Sequence, residues 1–281
     1  MFISRLLFFF TFFSIYLTSF SQYYEIGIFG GGSYYVGDIN PNKHFAMTKL
    51  AVGGVIRYNF DNHWTARVNV FQGTLTADDA VIKHHPERNL HFKTSLTEIG
   101  TILELNFFPY QTGTRNNFTP FIFGGAAFFK FNPKAEFENE WYNLQPLGTE
   151  GQGTTAYPDK KPYRLGAIGL PFGVGIKYSF KKNISISAEW GIRKTLTDYI
   201  DDVSTSYADP DILAAENTYI AAAIADRRIN ENDNLQFYEQ QRGDHTNNDW
   251  YSFFGITVSM QFSVYKDKCH GMPQINANHK R

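Results

Sequence analysis

The sequence predicts an all-β fold: an eight-stranded antiparallel transmembrane β-barrel with long extracellular loops, one of them carrying a helix. Three observations lead there. Apolar residues recur at every second position in segment after segment. Aromatic residues and glycine are abundant at modest hydropathy. Short and long connections alternate along the chain. The clearest alternation is SFFGITVSMQFSVY at 252–265, where Phe254, Ile256, Val258, Met260, Phe262 and Val264 are separated by Gly255, Thr257, Ser259, Gln261 and Ser263. A two-residue period belongs to a strand with two unlike faces, not to a helix. A soluble sandwich turns the apolar face inward, and a membrane barrel turns it to lipid.

Composition favours the barrel. The 281 residues include 27 Phe, 17 Tyr and 23 Gly, with a formal net charge of −1. That balance gives no reason to expect nucleic acid or another polyanion as partner. A mean hydropathy of −0.33 excludes a bundle of membrane helices. Barrel strands are apolar only at alternate positions, so they leave the average hydropathy ordinary.

The first residues read MFISRLLFFFTFFSIYLTSFSQ, with Arg5 ahead of an apolar run from Leu6 to Leu17 and small residues Ser19 and Ser21 before Gln22. This is the pattern of a secretory signal peptide over 1–21. The alternative, an anchor helix, needs a run of about 20 apolar residues. No cysteine stands at the cut, so lipoprotein processing is not expected. Cys269 is the only cysteine, so no internal disulfide is expected. The barrel is expected over 22–265, with a periplasmic tail over 266–281.

Eight alternating segments follow, near 23–36, 48–60, 63–77, 91–109, 118–132, 163–180, 183–200 and 249–264. The first and fifth are interrupted by glycine, at 30–32 and 124–125, which marks bends or close backbone approach. The second sets Leu50, Val52, Ile56 and Tyr58 against Arg57 and Asn59, and the third sets Trp64, Val68 and Val70 against Thr65, Arg67 and Asn69. The fourth sets Ile99, Leu103 and Leu105 against Glu98 and Glu104. The sixth and seventh place Lys177, Glu189 and Arg193 opposite aliphatic and aromatic faces. The polar faces together hold Glu25, Glu98, Glu104 and Glu189 with Arg57, Arg67, Lys130, Lys177 and Arg193. An eight-stranded barrel is just wide enough for side chains to fill it. These charges are therefore expected to form an internal network that plugs the lumen. The other reading is a pore or proton path.

The connections at 61–62, 111–117 and 181–182 are short, and those near 37–47, 78–90, 133–162 and 201–248 are long. Outer-membrane barrels have short periplasmic turns and long outer loops, which puts both termini in the periplasm. Aromatic pairs at Tyr34 and Tyr35, Phe107 and Phe108, Phe128 and Phe129, with Trp250, Tyr251 and Phe253, are expected at the two membrane interfaces. In the last long loop Asp209 and Pro210 read as an N-cap and first helical residue. A helix is expected over 210–228, ending at Arg227 and Arg228 and packed over the barrel mouth. The loop at 133–162, rich in Gly, Pro and charge, reads as irregular.

Catalytic signals are weak. His84, His85, His91, Ser95 and Glu87 contain the residue types of a hydrolytic triad, but no G-x-S-x-G elbow is present. The adjacent His84 and His85 read as loop surface rather than metal ligands. The run Gly30 to Gly32 lacks the Lys-Ser/Thr of a phosphate cradle. No cofactor or metal is expected.

Beyond these patterns, the stretches YYEIGIFGGGSYYVGDIN (23–40), FNPKAEFENEWYNLQPLGTEGQG (131–153) and YRLGAIGLPFGVGIKYSFKKNISISAEWGIRKTLTDYIDDVSTSY (163–207) resemble the PorG family. PorG is an outer-membrane barrel of the type IX secretion system of Bacteroidetes. The resemblance covers most of the chain after residue 22. It implies a role in protein secretion, which in some bacteria supports gliding, with a periplasmic ring of PorK and PorN as partner. The topology adds the candidate contacts: Asp61, Asn62, His63, Gln111, Arg115, Asn117, Lys181, Lys182 and Asn183 on the short turns. The expected function is a non-enzymatic anchor for that ring. A free-standing small porin-like barrel and a lipid-modifying barrel enzyme are the alternatives.

Overall fold

The computed structural model describes residues 23–181, 183–228 and 240–262. The expected signal peptide, Lys182, Cys269 and the tail at 266–281 lie outside the described residues.

Eight long strands form the barrel: β1 (Tyr23–Val36), β2 (Lys49–Asn59), β3 (Trp64–Asp78), β4 (His91–Asn106), β5 (Phe118–Lys130), β8 (Gly166–Lys181), β9 (Ile184–Thr195) and β10 (Trp250–Phe262). Two short strands, β6 (Pro133–Phe137) and β7 (Glu140–Asn143), lie between β5 and β8. All pairings are antiparallel. The order runs β3-β2-β1-β10-β9-β8-β5-β4, and β3 pairs with β4 to close the sheet. The last strand pairs with the first from Tyr24↔Phe262 to Val36↔Trp250, leaving the cylinder no open edge. A wall in hydrocarbon requires such closure, because a free strand edge there has no water to bond its amides.

The two-residue period is visible directly. Ile28 is 77 % exposed and Leu50 76 %, whereas Arg57 and Glu25 are 1 % exposed. The apolar face points outward. Near the long loops this polarity inverts. Low on β3 the outward residues are Val68 and Val70 and the inward ones Arg67 and Asn69. Higher up, Gln72, Thr74 and Thr76 point outward, and Phe71, Leu75 and Ala77 point inward. On β4 the outward face changes likewise from Leu103 and Ile99 to Thr97, Ser95 and Lys93. The barrel wall thus faces hydrocarbon below this level and water above it.

The loop expectations needed correction. The segment 133–162 is not simply irregular: β6 and β7 form a hairpin, followed by a 3₁₀ turn at Gln145–Leu147. The helix expected over 210–228 is broken. Pro210–Ile212 and Leu213–Asn217 form one short helical stretch, and Tyr219–Ala225 forms another. Thr218 separates them in an extended conformation, and its side chain caps the second by accepting from Ala221 N. Asp209 is the N-cap and Pro210 opens the helix, as expected. Arg227 and Arg228 lie beyond the helix end. Arg227 instead donates to the Glu136 carbonyl at 2.8 Å, and Arg228 pairs with Asp226.

Candidate functional site

Three regions carry the polar chemistry: the lumen, the short-turn face and the cap of long loops. In the lumen, Glu25, Glu98, Glu104 and Glu189 meet Arg57, Arg67, Lys177 and Arg193, all 5 % exposed or less. Glu104 is the hub. Its carboxylate accepts from Arg57 Nε at 3.2 Å, lies 3.0 Å from Arg67 Nη1, and accepts from Lys177 Nζ at 2.5 Å. Arg67 also reaches Glu189 at 2.5 Å. Arg57 donates onward to Ser259 and Ser187. Nearer the long loops, Arg193 Nε donates to Glu98 at 3.0 Å, and Tyr251 and Asn69 donate to the same carboxylate.

Aromatic rings fill the remaining lumen. Lys177 Nζ lies 4.6 Å from the Phe121 ring centre, and the Arg67 guanidinium 4.8 Å from that of Phe123. Room for Phe123 comes from Gly173 and Gly191, which face each other across β8 and β9. A Cβ on either would stand 2.6 Å from Phe123 Cζ. At the short-turn end, Tyr23, Tyr110 and Thr112 are buried beneath the network.

Lys130 is a correction: it is exposed, not part of the network. On β5 the inward residues are Phe121, Phe123, Ala127 and Phe129, so parity places Lys130 outside with Phe128. The aromatic pairs need the same correction. Phe107, Phe108 and Phe128 are exposed, but Tyr35, Phe129, Tyr251 and Phe253 are inside. Alternation sends one member of an adjacent strand pair inward, where these rings form a layer between the charges and the cap.

The short-turn face is polar and ordered. Asp61 Oδ1 accepts from the amides of His63 and Trp64, both at 2.7 Å. His63 Nδ1 lies 2.9 Å from the Asn106 carbonyl, joining the first turn to the base of β4. Gln111 N donates to Asn116 O, Ser179 N to Asn117 O, and Gln261 N to Asn183 O. Arg115, Lys181 and Asn183 are exposed, and Asp61, Asn62, His63, Gln111 and Asn117 are half-buried.

The cap was not anticipated in detail. Arg88 makes a two-point contact with Asp79, both bonds 2.8 Å, and donates to the Arg242 and Asp38 carbonyls. Glu150 accepts from Ser204 N, Thr205 N and Arg242, joining the third and fourth long loops. Tyr35 Oη sits 2.6 Å from carboxylate oxygens of both Asp201 and Asp249. One phenolic proton cannot serve both, so a carboxylic proton is needed there. Burial, then the neighbouring Asp249 carboxylate, pushes Asp198 up to about 9. Burial pushes Asp249 up to about 8, and Asp201 rises well above the usual range for the same first reason. No spacing signal in the sequence brings these residues together.

The residues of the hydrolytic reading have structural contacts. His85 lies 3.1 Å from Glu87 on the exposed surface, His91 Nε2 accepts from Glu136 N at 3.0 Å, and Ser95 points outward from β4.

A family model described as "Domain of unknown function (DUF6089)" matches residues 4–217. No curated protein matches the chain. Among solved structures, the chain is similar to the N-terminal β-barrel domain of Pseudomonas aeruginosa OprF, at 14% identity over 87% of this chain and 100% of that one, with a TM-score of 0.36. It is similar to Ail, the attachment invasion locus protein of Yersinia pestis, at 10% identity over 87% and 100% of the two chains, with a TM-score of 0.39. It is also similar to the outer membrane protein OprG of Pseudomonas aeruginosa, at 10% identity over 87% and 99%, with a TM-score of 0.40.

Proposed function

The chain belongs to the family so described, and from that premise we propose that it is a non-enzymatic outer-membrane barrel of a type IX protein secretion machinery. In this reading it seats a periplasmic ring of the PorK and PorN type at the membrane. The observation that carries the reading is the filled lumen. A barrel whose interior is occupied by buried ion pairs and aromatic rings gives a polypeptide no passage. Its contribution to secretion is then a surface. The short-turn side offers a compact polar surface, with Arg115, Lys181 and Asn183 exposed on it. The resemblance of 23–40, 131–153 and 163–207 to PorG supplies the class of partner.

The test is affinity purification of the tagged, full-length protein from outer membranes, with identification of what co-purifies. The reading predicts a ring lipoprotein and its partner, and loss of secretion when the gene is deleted. Recovery of the barrel alone, with secretion intact, returns it to a free-standing structural barrel.

A further inference from the structure

The outer wall of the barrel ends differently at its two ends. Toward the short turns its outward residues are aromatic, Phe60, Trp64, Phe107 and Phe180 among them. Toward the long loops, on β4, β5 and β8, they are cationic. The strand register gives the order of rows there. The last apolar row is Ile99, Phe128 and Ile168, each about half exposed. The next outward row joins Thr97 to Lys130 and Lys130 to Gly166. Two residues above Thr97 stands Ser95, and two above Gly166 stands Arg164. The row above those sets Lys93 of β4 directly opposite Lys134 of β6. Lys93, Lys130, Lys134 and Arg164 are all exposed.

Two features mark this corner as a place for an anion. Like charges directly opposite one another on a sheet repel, so the Lys93–Lys134 pair is unfavourable until something neutralises it. Among the described residues none of the four cations makes an ion pair. Lys93 Nζ instead lies 5.5 Å from the ring centre of Trp141, an indole that stays exposed although it stands beyond the apolar rows. The second feature is the sorting of charge by height. β6 rises from Lys134 through Glu136 to the turn at Glu138 and Asn139, and β7 descends from Glu140. The wall therefore passes from apolar to basic and only then to acidic. Its cations stand next to the hydrocarbon boundary, where headgroup phosphates lie, and its acids stand farther out.

The height of the basic patch selects the headgroup. From Lys130 to the Lys93–Lys134 pair is two outward steps, about 14 Å along the strand and about 10 Å of height at a tilt of about 45°. The polar layer of one phospholipid leaflet is about 5–7 Å thick. A single phospholipid phosphate at Lys130 does not reach the upper pair. A sugar-based headgroup that carries phosphate spans both levels, with the Thr97 and Ser95 side chains between them. An acidic protein would meet Glu136 and Glu138 first, and would have to displace the headgroups to reach Lys130.

We propose that this corner binds the headgroup of a phosphorylated glycolipid in the leaflet on the long-loop side, with Lys93, Lys130, Lys134 and Arg164 as its phosphate contacts. The site rests on the barrel spanning an outer membrane with its long loops outside, and is independent of any role in secretion.

Full-length protein folded in detergent micelles and titrated with fluorescently labelled lipid A tests it, with dephosphorylated lipid A as the paired probe. Wild type is expected to bind the phosphorylated form about tenfold or more tightly. Lys93→Gln with Lys134→Gln, and separately Lys130→Gln with Arg164→Gln, should each remove most of that preference and leave binding of the dephosphorylated form unchanged. Lys49→Gln with Lys194→Gln, two exposed cations outside the patch, should preserve it. Folded migration on gels qualifies each variant, and the wild-type preference decides the matter where a variant fails to fold. Equal binding of the two probes by wild type, or an unchanged preference in either folded patch variant, overturns the proposal. Phosphatidylglycerol bound as tightly as lipid A, or lipid A released by millimolar inorganic phosphate, overturns it too, since a lone phosphate would then suffice.

Discussion

Glu104 holds three cations in a space with almost no access to water, contacting Arg57, Arg67 and Lys177. Glu104→Gln keeps the shape and removes the charge, leaving the cations one carboxylate short. Removing one partner of a buried pair costs about 3–5 kcal/mol. Urea unfolding from detergent micelles, followed by tryptophan fluorescence, should show a loss of that size. A loss below about 1 kcal/mol, the range of exposed pairs, would mean the lumen is wet. Two lysines make a sharper comparison. Lys177→Met strips Glu104 of its closest cation and should be strongly destabilising by the same assay. Lys130→Met, on the outer face, should change stability by no more than about 0.5 kcal/mol. Parity decides that contrast, and parity was legible: Phe128 and Lys130 are two residues apart and share a face. Which carboxylate meets which cation was not legible, because those partners come from strands far apart in the chain, 122 residues for Arg67 and Glu189.

At the scale of elements, the strands were easy to read and the loops were not. A strand half in lipid writes its period into every second residue, and the observed ends fall within a few residues of the expected ones. β6 carries the same alternation, Pro133, Ala135 and Phe137 against Lys134 and Glu136, but over only five residues, and β7 has four; their turn is set by Glu138 and Asn139 at φ 51° and 67°. The helix broke at Thr218 because a threonine that caps one helix cannot continue the one before it. The cap's cohesion rests on long-range contacts such as Arg88 with the Arg242 carbonyl and Arg242 with Glu150, which no local pattern encodes. Its carboxyls give a pH prediction. Asp249 and Asp198 have folded values raised to about 8 and about 9, above an unfolded value near 3.9. The folded cap therefore binds protons more tightly than the unfolded chain, and its stability falls as pH rises from about 4 to 9. Asp38, Asp201 and Asp202 are raised as well and deepen the fall, while Arg88 and Arg242 oppose it. Hydrogen exchange in loop residues 196–212 should speed on going from pH 6 to pH 9. Asp198→Asn should flatten that dependence. An exchange profile that slows once corrected for intrinsic rate would contradict the assignment.

For the whole molecule, polarity inverts twice. In the membrane section the polar face is inside, held by ion pairs, and the apolar face is outside. Above it the apolar residues turn inward under the loops. The sequence carried the first inversion in its alternation and loop lengths, but the second emerged only once the long-loop ends of β3 and β4 could be compared with their lower halves. A barrel so filled should give no stable channel openings in planar bilayers, and a steady conductance from purified wild type would count against the plug. The proposed function rests on the short-turn face. The most direct test of that claim is cross-linking in cells from single cysteines introduced into the full chain. Arg115→Cys and Asn183→Cys probe the turns, and Glu140→Cys probes the β6–β7 hairpin on the opposite side. The account predicts adducts with periplasmic ring proteins from the two turn positions and none from the hairpin. Adducts from the hairpin alone would contradict it.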